Sequence, residues 1–263
     1  MSMHTWQWQT WEELPYLTCS LLKPWPHGFF TQKFWPRSPL ELVKVFQPDA
    51  EVYQLKQVHG NTVLTPSEIG SSMDNGTSES GMADGLITER QSQAVWVASA
   101  DCTPALIADG KTGQVGAIHA GWRGTATKIV PQAIARLRDR GSRLQDLRVV
   151  LGPAISGSVY QVSLQVAALV GASIIPGDPD TATESILDGL HHLPNSPLLA
   201  DSKPDRVRLD IRRVIALQLE QLGIGPDQVV IAPHCTYQDM RFFSYRRDPR
   251  KKVQWSGIVS AEV

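Results

Sequence analysis

The chain has 263 residues, 42% hydrophobic and 19% charged, with a net charge of −1. That length is enough to bury a real core in one large domain or two small ones. The near-neutral balance gives no global attraction to DNA, RNA or an anionic membrane, and no apolar run reaches the roughly 18 residues needed to span a bilayer.

The first eleven residues are polar and Trp-rich, without the basic start and apolar segment of a signal peptide. Cys19, Cys102 and Cys235 cannot all pair and lie far apart, so free thiols in a reducing cytoplasm are the expected state. A short strand is predicted over 51–55, leading into Gln57-Val58-His59-Gly60. Residues 66–81, rich in Ser, Gly and Asn, read as an exposed flexible loop within a domain. Strands follow over 94–98 and 105–108, and Ala100-Asp101-Cys102-Thr103-Pro104 interrupts the apolar stretch between them. A strand over 115–119 runs into His119-Ala120-Gly121-Trp122-Arg123-Gly124 and then a helix over 125–140, where Ile129, Ile134 and Leu137 keep near-helical spacing. Pro131 implies a kink or a late start there, and Gly141 closes the element. After a strand over 147–151 comes a loose Pro-, Asp- and Ser-rich stretch over 171–206 that holds a short helix at about 182–191. A cleaner helix over 210–222 has Asp210 as N-cap, Gly223 as C-cap and an apolar stripe from Ile211 to Leu222. The last strand is expected over 229–232. Strands outnumber helices without alternating strictly, which favours a layered α+β domain over a doubly wound parallel sheet. Neither an internal repeat nor a dinucleotide or P-loop fingerprint is present.

Three segments put a reactive or metal-competent residue at a strand end: His59, Cys102 and His119. Alone, each reads as well as a hydrogen-bonded structural His or a small buried Cys. Together, two imidazoles and a thiolate make three zinc donors with one coordination position open, the pattern of a catalytic zinc site. Their wide spacing matches no compact zinc finger. Arg123 follows His119 by one glycine-flanked turn and precedes a helix, a setting for a phosphate or carboxylate as well as for a surface Arg. Phe242-Phe243-Ser244-Tyr245-Arg246-Arg247-Asp248 mixes aromatic faces that stack on bases with guanidinium groups that hold phosphate; a core strand with a charged end is the alternative. The basic residues Arg250, Lys251 and Lys252 read as a solvated surface.

These segments, with Ala83-Asp84-Gly85-Leu86-Ile87-Thr88, Leu151-Gly152-Pro153-Ala154-Ile155 and Cys235-Thr236, resemble the YfiH family, also called laccase-domain-containing or multicopper polyphenol oxidase-like. They run in family order from about residue 27 to residue 248. The resemblance implies one domain over 1–263, built of mixed β-sheets flanked by helices, with zinc on His59, Cys102 and His119. It also implies phosphorolysis of adenosine, inosine and methylthioadenosine to the free base and a ribose 1-phosphate, with adenosine deamination alongside. Site chemistry then suggests roles: Arg123, with Arg246 or Arg247, for phosphate, and Asp101 or Asp84 for proton transfer or for holding a His ligand. Copper is the weaker metal candidate, because the seven His include no His-x-His pair. The alternatives are a metal-free cysteine hydrolase acting on an amide such as a cell-wall precursor, with Cys102 as nucleophile, and a non-enzymatic zinc or nucleoside-binding protein with His234 or Cys235 as fourth ligand. The expected partners are nucleosides and phosphate, not nucleic acid or membrane. The chain departs from the family's usual pattern at Gln32, at Gln161 and in the tail after Asp248.

Overall fold

The computed structural model describes residues 4–69, 81–177 and 182–261. Its strands are β1 (Trp6–Trp11), β2 (Leu14–Cys19), β3 (His27–Phe30), β4 (Glu51–Tyr53), β5 (Val63–Leu64), β6 (Gly85–Ile87), β7 (Gln93–Ser99), β8 (Thr103–Asp109), β9 (Val115–Ala120), β10 (Leu147–Leu151), β11 (Gln161–Ser163), β12 (Leu198–Leu199), β13 (Arg206–Leu209), β14 (Val229–Ile231) and β15 (Gln254–Val259). The α-helices are α1 (Pro39–Leu42), α2 (Trp122–Ala126), α3 (Ile129–Asp139), α4 (Leu164–Gly171), α5 (Thr183–His191) and α6 (Ile211–Gln221).

Two six-stranded sheets carry the fold, in the orders β1-β2-β3-β15-β7-β4 and β14-β10-β8-β9-β6-β5, and β11-β13-β12 form a third, small sheet. Most neighbours are antiparallel, but the edge strands β4, β14 and β5 pair in parallel, so both large sheets are mixed. Their central strands read as near-continuous apolar runs because both faces are buried. In β7, Val95 and Val97 enter the core between the sheets, while Ala94 and Trp96 turn outward to an aromatic layer with Phe30 and Phe34. In β8, Leu106 and Ala108 join the inter-sheet core, while Ala105 and Ile107 pack under the helices with Ile134, Leu137, Val214 and Leu219. The result is the expected α+β architecture of layered mixed sheets flanked by helices.

The expected helix over 125–140 is two elements. Lys128 takes a left-handed φ of 60°, which ends the short α2 and lets α3 begin at Ile129. Pro131 then falls in the first turn of α3, where a missing N–H leaves no hydrogen bond unmade. The cleaner helix is as expected: the Asp210 carboxylate accepts the N–H groups of Arg212 and Arg213, and Gly223 follows with φ 90°. Helix α5 sits inside the loose 171–206 stretch. Of the expected loop over 66–81, Pro66–Ile69 form one 3₁₀ turn, and residues 70–80 lie outside the described residues. Among the described residues no helix is long and apolar enough to cross a membrane.

Candidate functional site

β7 ends at Ser99 in the first sheet and β8 begins at Thr103 in the second. Cys102 therefore lies on the short crossover between the sheets. The antiparallel register pairs Thr103 with Ala120 and Pro104 with His119, which brings Cys102 beside the end of β9. His59 arrives from the loop after β4, with a left-handed φ of 61°. One donor atom from each of His59, Cys102 and His119 lies within 4.8 Å of the others. The two imidazoles meet edge to face, centroids 4.8 Å apart. His119 is buried, Cys102 half-buried and His59 exposed. The glycines of this turn are required by close approach: a Cβ on Gly121 would fall 2.9 Å from Cys102 Sγ, and one on Gly124 would fall 2.7 Å from the Gly60 carbonyl oxygen.

Asp84, fully buried just before β6, organises the cluster. Its Oδ1 accepts His119 Nδ1–H at 2.8 Å and the His59 N–H at 2.9 Å; its Oδ2 accepts the Gly60 N–H at 2.7 Å and the Val58 N–H at 3.1 Å. Burial works to raise its pKa, but the His119 and backbone hydrogen bonds outweigh that and hold the carboxyl below its ordinary range. The proton held on His119 Nδ1 leaves Nε2 to face the cluster. Without a metal, burial would raise the Cys102 thiol, yet hydrogen bonds from His119 and His59 bring it down to about 6. Burial likewise opposes charge on His119, yet Asp84 and Cys102 raise it to about 9. The metal-free pair is thus a thiolate and an imidazolium at neutral pH.

The cluster opens into a pocket of about 640 Å³ whose wall includes Asp101, Arg123, Tyr160, Arg246 and Trp255. Arg123 is exposed, and its guanidinium stacks 4.4 Å above the Trp122 ring. It lies in the first turn of the five-residue α2, not ahead of a long helix. A helix of five residues carries only a small dipole, so the guanidinium is the main positive group that Arg123 brings to the pocket wall. Arg246 stacks 5.0 Å from the Tyr160 ring and donates to the Gln161 carbonyl at 3.1 Å. Arg247, expected beside it, is elsewhere: both terminal nitrogens of its guanidinium donate to the carbonyls of Thr236, Tyr237 and Phe242, and it borders a different pocket. Asp101 sits at φ 92° with its carboxylate accepting from Thr236 Oγ1 at 2.6 Å and the Arg246 N–H at 2.7 Å. It pins the crossover to the segment that carries Arg246. Among the described residues neither His234 nor Cys235 joins the donor cluster. The His234 ring packs on Trp8 and Phe242, and Cys235 is buried under the Ser156 N–H. The Arg250–Lys252 run, read as solvated surface, also borders the pocket. Sequence reasoning missed Tyr160 as a pocket residue; the only signal was its place in Val159-Tyr160-Gln161-Val162.

A family model described as multi-copper polyphenol oxidoreductase laccase matches residues 40–260. The chain is 50% identical over 256 residues to a purine nucleoside phosphorylase of Synechocystis sp., covering 97% of each. It is 32% identical over 202 residues to a purine nucleoside phosphorylase of Mycobacterium tuberculosis, covering 76% of this chain and 69% of that one. Among solved structures, YlmD from Geobacillus stearothermophilus superposes with a TM-score of 0.77 at 23% identity, over 97% of this chain and 99% of that chain.

Proposed function

Because the chain belongs to the multi-copper polyphenol oxidoreductase laccase family, that is, the YfiH family, we propose that it is a zinc-dependent purine nucleoside phosphorylase with a lesser adenosine deaminase activity. The observation that carries this reading is the convergence of His59, Cys102 and His119, within 4.8 Å of one another, on a pocket lined by Arg123 and Arg246. Two imidazoles and a thiolate suit zinc, and tetrahedral bonds of about 2.0–2.1 Å to nitrogen and about 2.3 Å to sulfur would hold two donors roughly 3.3–3.6 Å apart, near the spacing within 4.8 Å found here. Asp84 behind His119 is the carboxylate partner that a zinc-bound imidazole usually has. The donor set tolerates copper, but the chain has no His-x-His pair to favour it.

His59, Cys102 and His119 would hold the metal, which when bound would supply Lewis acidity to the pocket. Asp84 keeps the proton on His119 Nδ1, so that Nε2 stays a donor. Arg123 and Arg246 orient phosphate toward the ribose C1′ and offset its charge as the glycosidic bond breaks. Asp101 acts by position, fixing the backbone of Cys102 and Arg246 relative to each other. Adenosine, inosine and methylthioadenosine are the nucleosides to screen, with and without phosphate, with metal content measured on the same sample. Base release that requires phosphate and follows zinc content is the expected result. Base release from none of them would overturn the reading.

One observation favours a second reading. The thiolate–imidazolium pair of metal-free Cys102 and His119 is also what a cysteine hydrolase needs. It predicts amide cleavage that survives chelation, where the first reading predicts loss.

A further inference from the structure

The proposed reaction leaves one part of the pocket without a task. Arg123, Arg246, Arg250, Lys251 and Lys252 all border it, against Asp101 as the acid, whose two oxygens are already engaged. The whole chain carries a net −1, so this excess of positive charge is local. Arg250 is paired with Asp248. Among the described residues Arg123, Arg246, Lys251 and Lys252 meet no carboxylate within ion-pair distance.

A neutral nucleoside and one inorganic phosphate account for Arg123 and Arg246. They leave Lys251 and Lys252 over. Lys252 is held with its Nζ 4.1 Å above the Trp35 ring. Arg250 and Lys252 also border a neighbouring pocket of about 210 Å³, where Asp248 stands with them and Arg247. Like charges concentrated in a concave wall attract an anion and raise its local concentration.

We propose that the Lys251–Lys252 end of the pocket is a subsite for a phosphate ester on the nucleoside, so that the protein binds nucleoside 5′-monophosphates in preference to free nucleosides. This rests on the nucleoside reading given above. The ester carries about −1.5 to −2 charge at neutral pH and offers three strong acceptor oxygens to the exposed Lys251 ammonium, while Lys252 adds its charge from its place over the Trp35 ring.

Calorimetry in phosphate-free, low-salt buffer, with adenosine and adenosine 5′-monophosphate as probes, tests this on the purified protein and on a Lys251→Gln/Lys252→Gln variant. The monophosphate is expected to bind at least about tenfold more tightly than adenosine, with the ratio falling toward one in the variant and in high salt. A preference that salt erases but the variant keeps would overturn the assignment to these two lysines. Equal affinities would overturn the subsite and leave the nucleoside reading standing. Monophosphate binding without adenosine binding would support the cationic subsite while removing the free nucleoside as substrate. Binding of neither probe would end both ideas.

Discussion

Asp84→Asn is the substitution that best tests how the cluster is held. The carboxylate is fully buried and accepts from four donors: two on Oδ1, from His119 and His59, and two on Oδ2, from Gly60 and Val58. Asn has one carbonyl oxygen and an NH₂ in place of the second acceptor. With its oxygen toward His119 and His59, its NH₂ confronts the Gly60 and Val58 N–H groups, and two part-buried donors lose their acceptor at about 1–3 kcal/mol each. With the amide flipped, the Gly60 and Val58 bonds survive, but the His59 N–H loses its acceptor. His119 must then take its other tautomer, which puts the proton on Nε2 where a metal would bind. Either arrangement is expected to cost about 3–5 kcal/mol of stability, together with about 10–100-fold in metal affinity. Urea denaturation of metal-free protein measures the first, and zinc competition against a chromogenic chelator the second. A stability loss under about 1 kcal/mol with unchanged zinc affinity would show that Asp84 does not hold the cluster together, since a fully buried carboxylate cannot lose half its acceptor capacity at so small a cost.

Cys102→Ala is expected to abolish both zinc binding and turnover, and Cys235→Ala to keep the metal, as atomic absorption and base release can show; full metal with lost turnover in Cys102→Ala would make Cys102 the nucleophile. Arg123→Ala is expected to lower phosphorolysis by about 100-fold or more, close to 3 kcal/mol of transition-state charge stabilisation, with zinc unchanged and deamination less affected. Equal loss of both activities would move Arg123 from phosphate to the nucleoside or the fold. In metal-free protein, Cys102 should alkylate as a thiolate at neutral pH, its rate falling only as pH drops through about 6, while Cys19 and Cys235 are buried and lag behind. A mass-spectrometric rate profile with its midpoint near that of a free thiol would contradict the ion pair, and added zinc should protect the same residue.

Sequence patterning located the second sheet well because its central strands are buried on both faces and stand out as apolar runs. Much of the first sheet was illegible for the opposite reason. β1 keeps most of its residues exposed and β3 is four residues long. β15 contains Gly257, where a Cβ would fall 2.4 Å from the Trp96 ring; the glycine that weakens the strand signal is the one the packing requires. At the site, residue chemistry singled out His59, Cys102 and His119, and the register of β8 against β9 explains why two of them meet. Arg246 and Arg247 look equivalent in sequence. Only the carbonyls around Arg247 separate them, and those come from distant turns that no spacing rule reaches. The place of Tyr160 and Lys251 on the pocket wall was hidden in the same way, since both depend on which loops meet at one rim.

Cys102 belongs to the chain's passage from one sheet to the other, and that placement divides labour within the fold. A passage of three residues leaves no slack: an insertion there would move the sulfur and prise apart two buried layers together. Changes of length at this seam therefore disturb the sulfur and both layers at once, a double constraint that the loops above do not carry. Residues 250–253 on the rim line the same pocket, and side-chain changes there reshape its mouth while the seam beneath stays as it is.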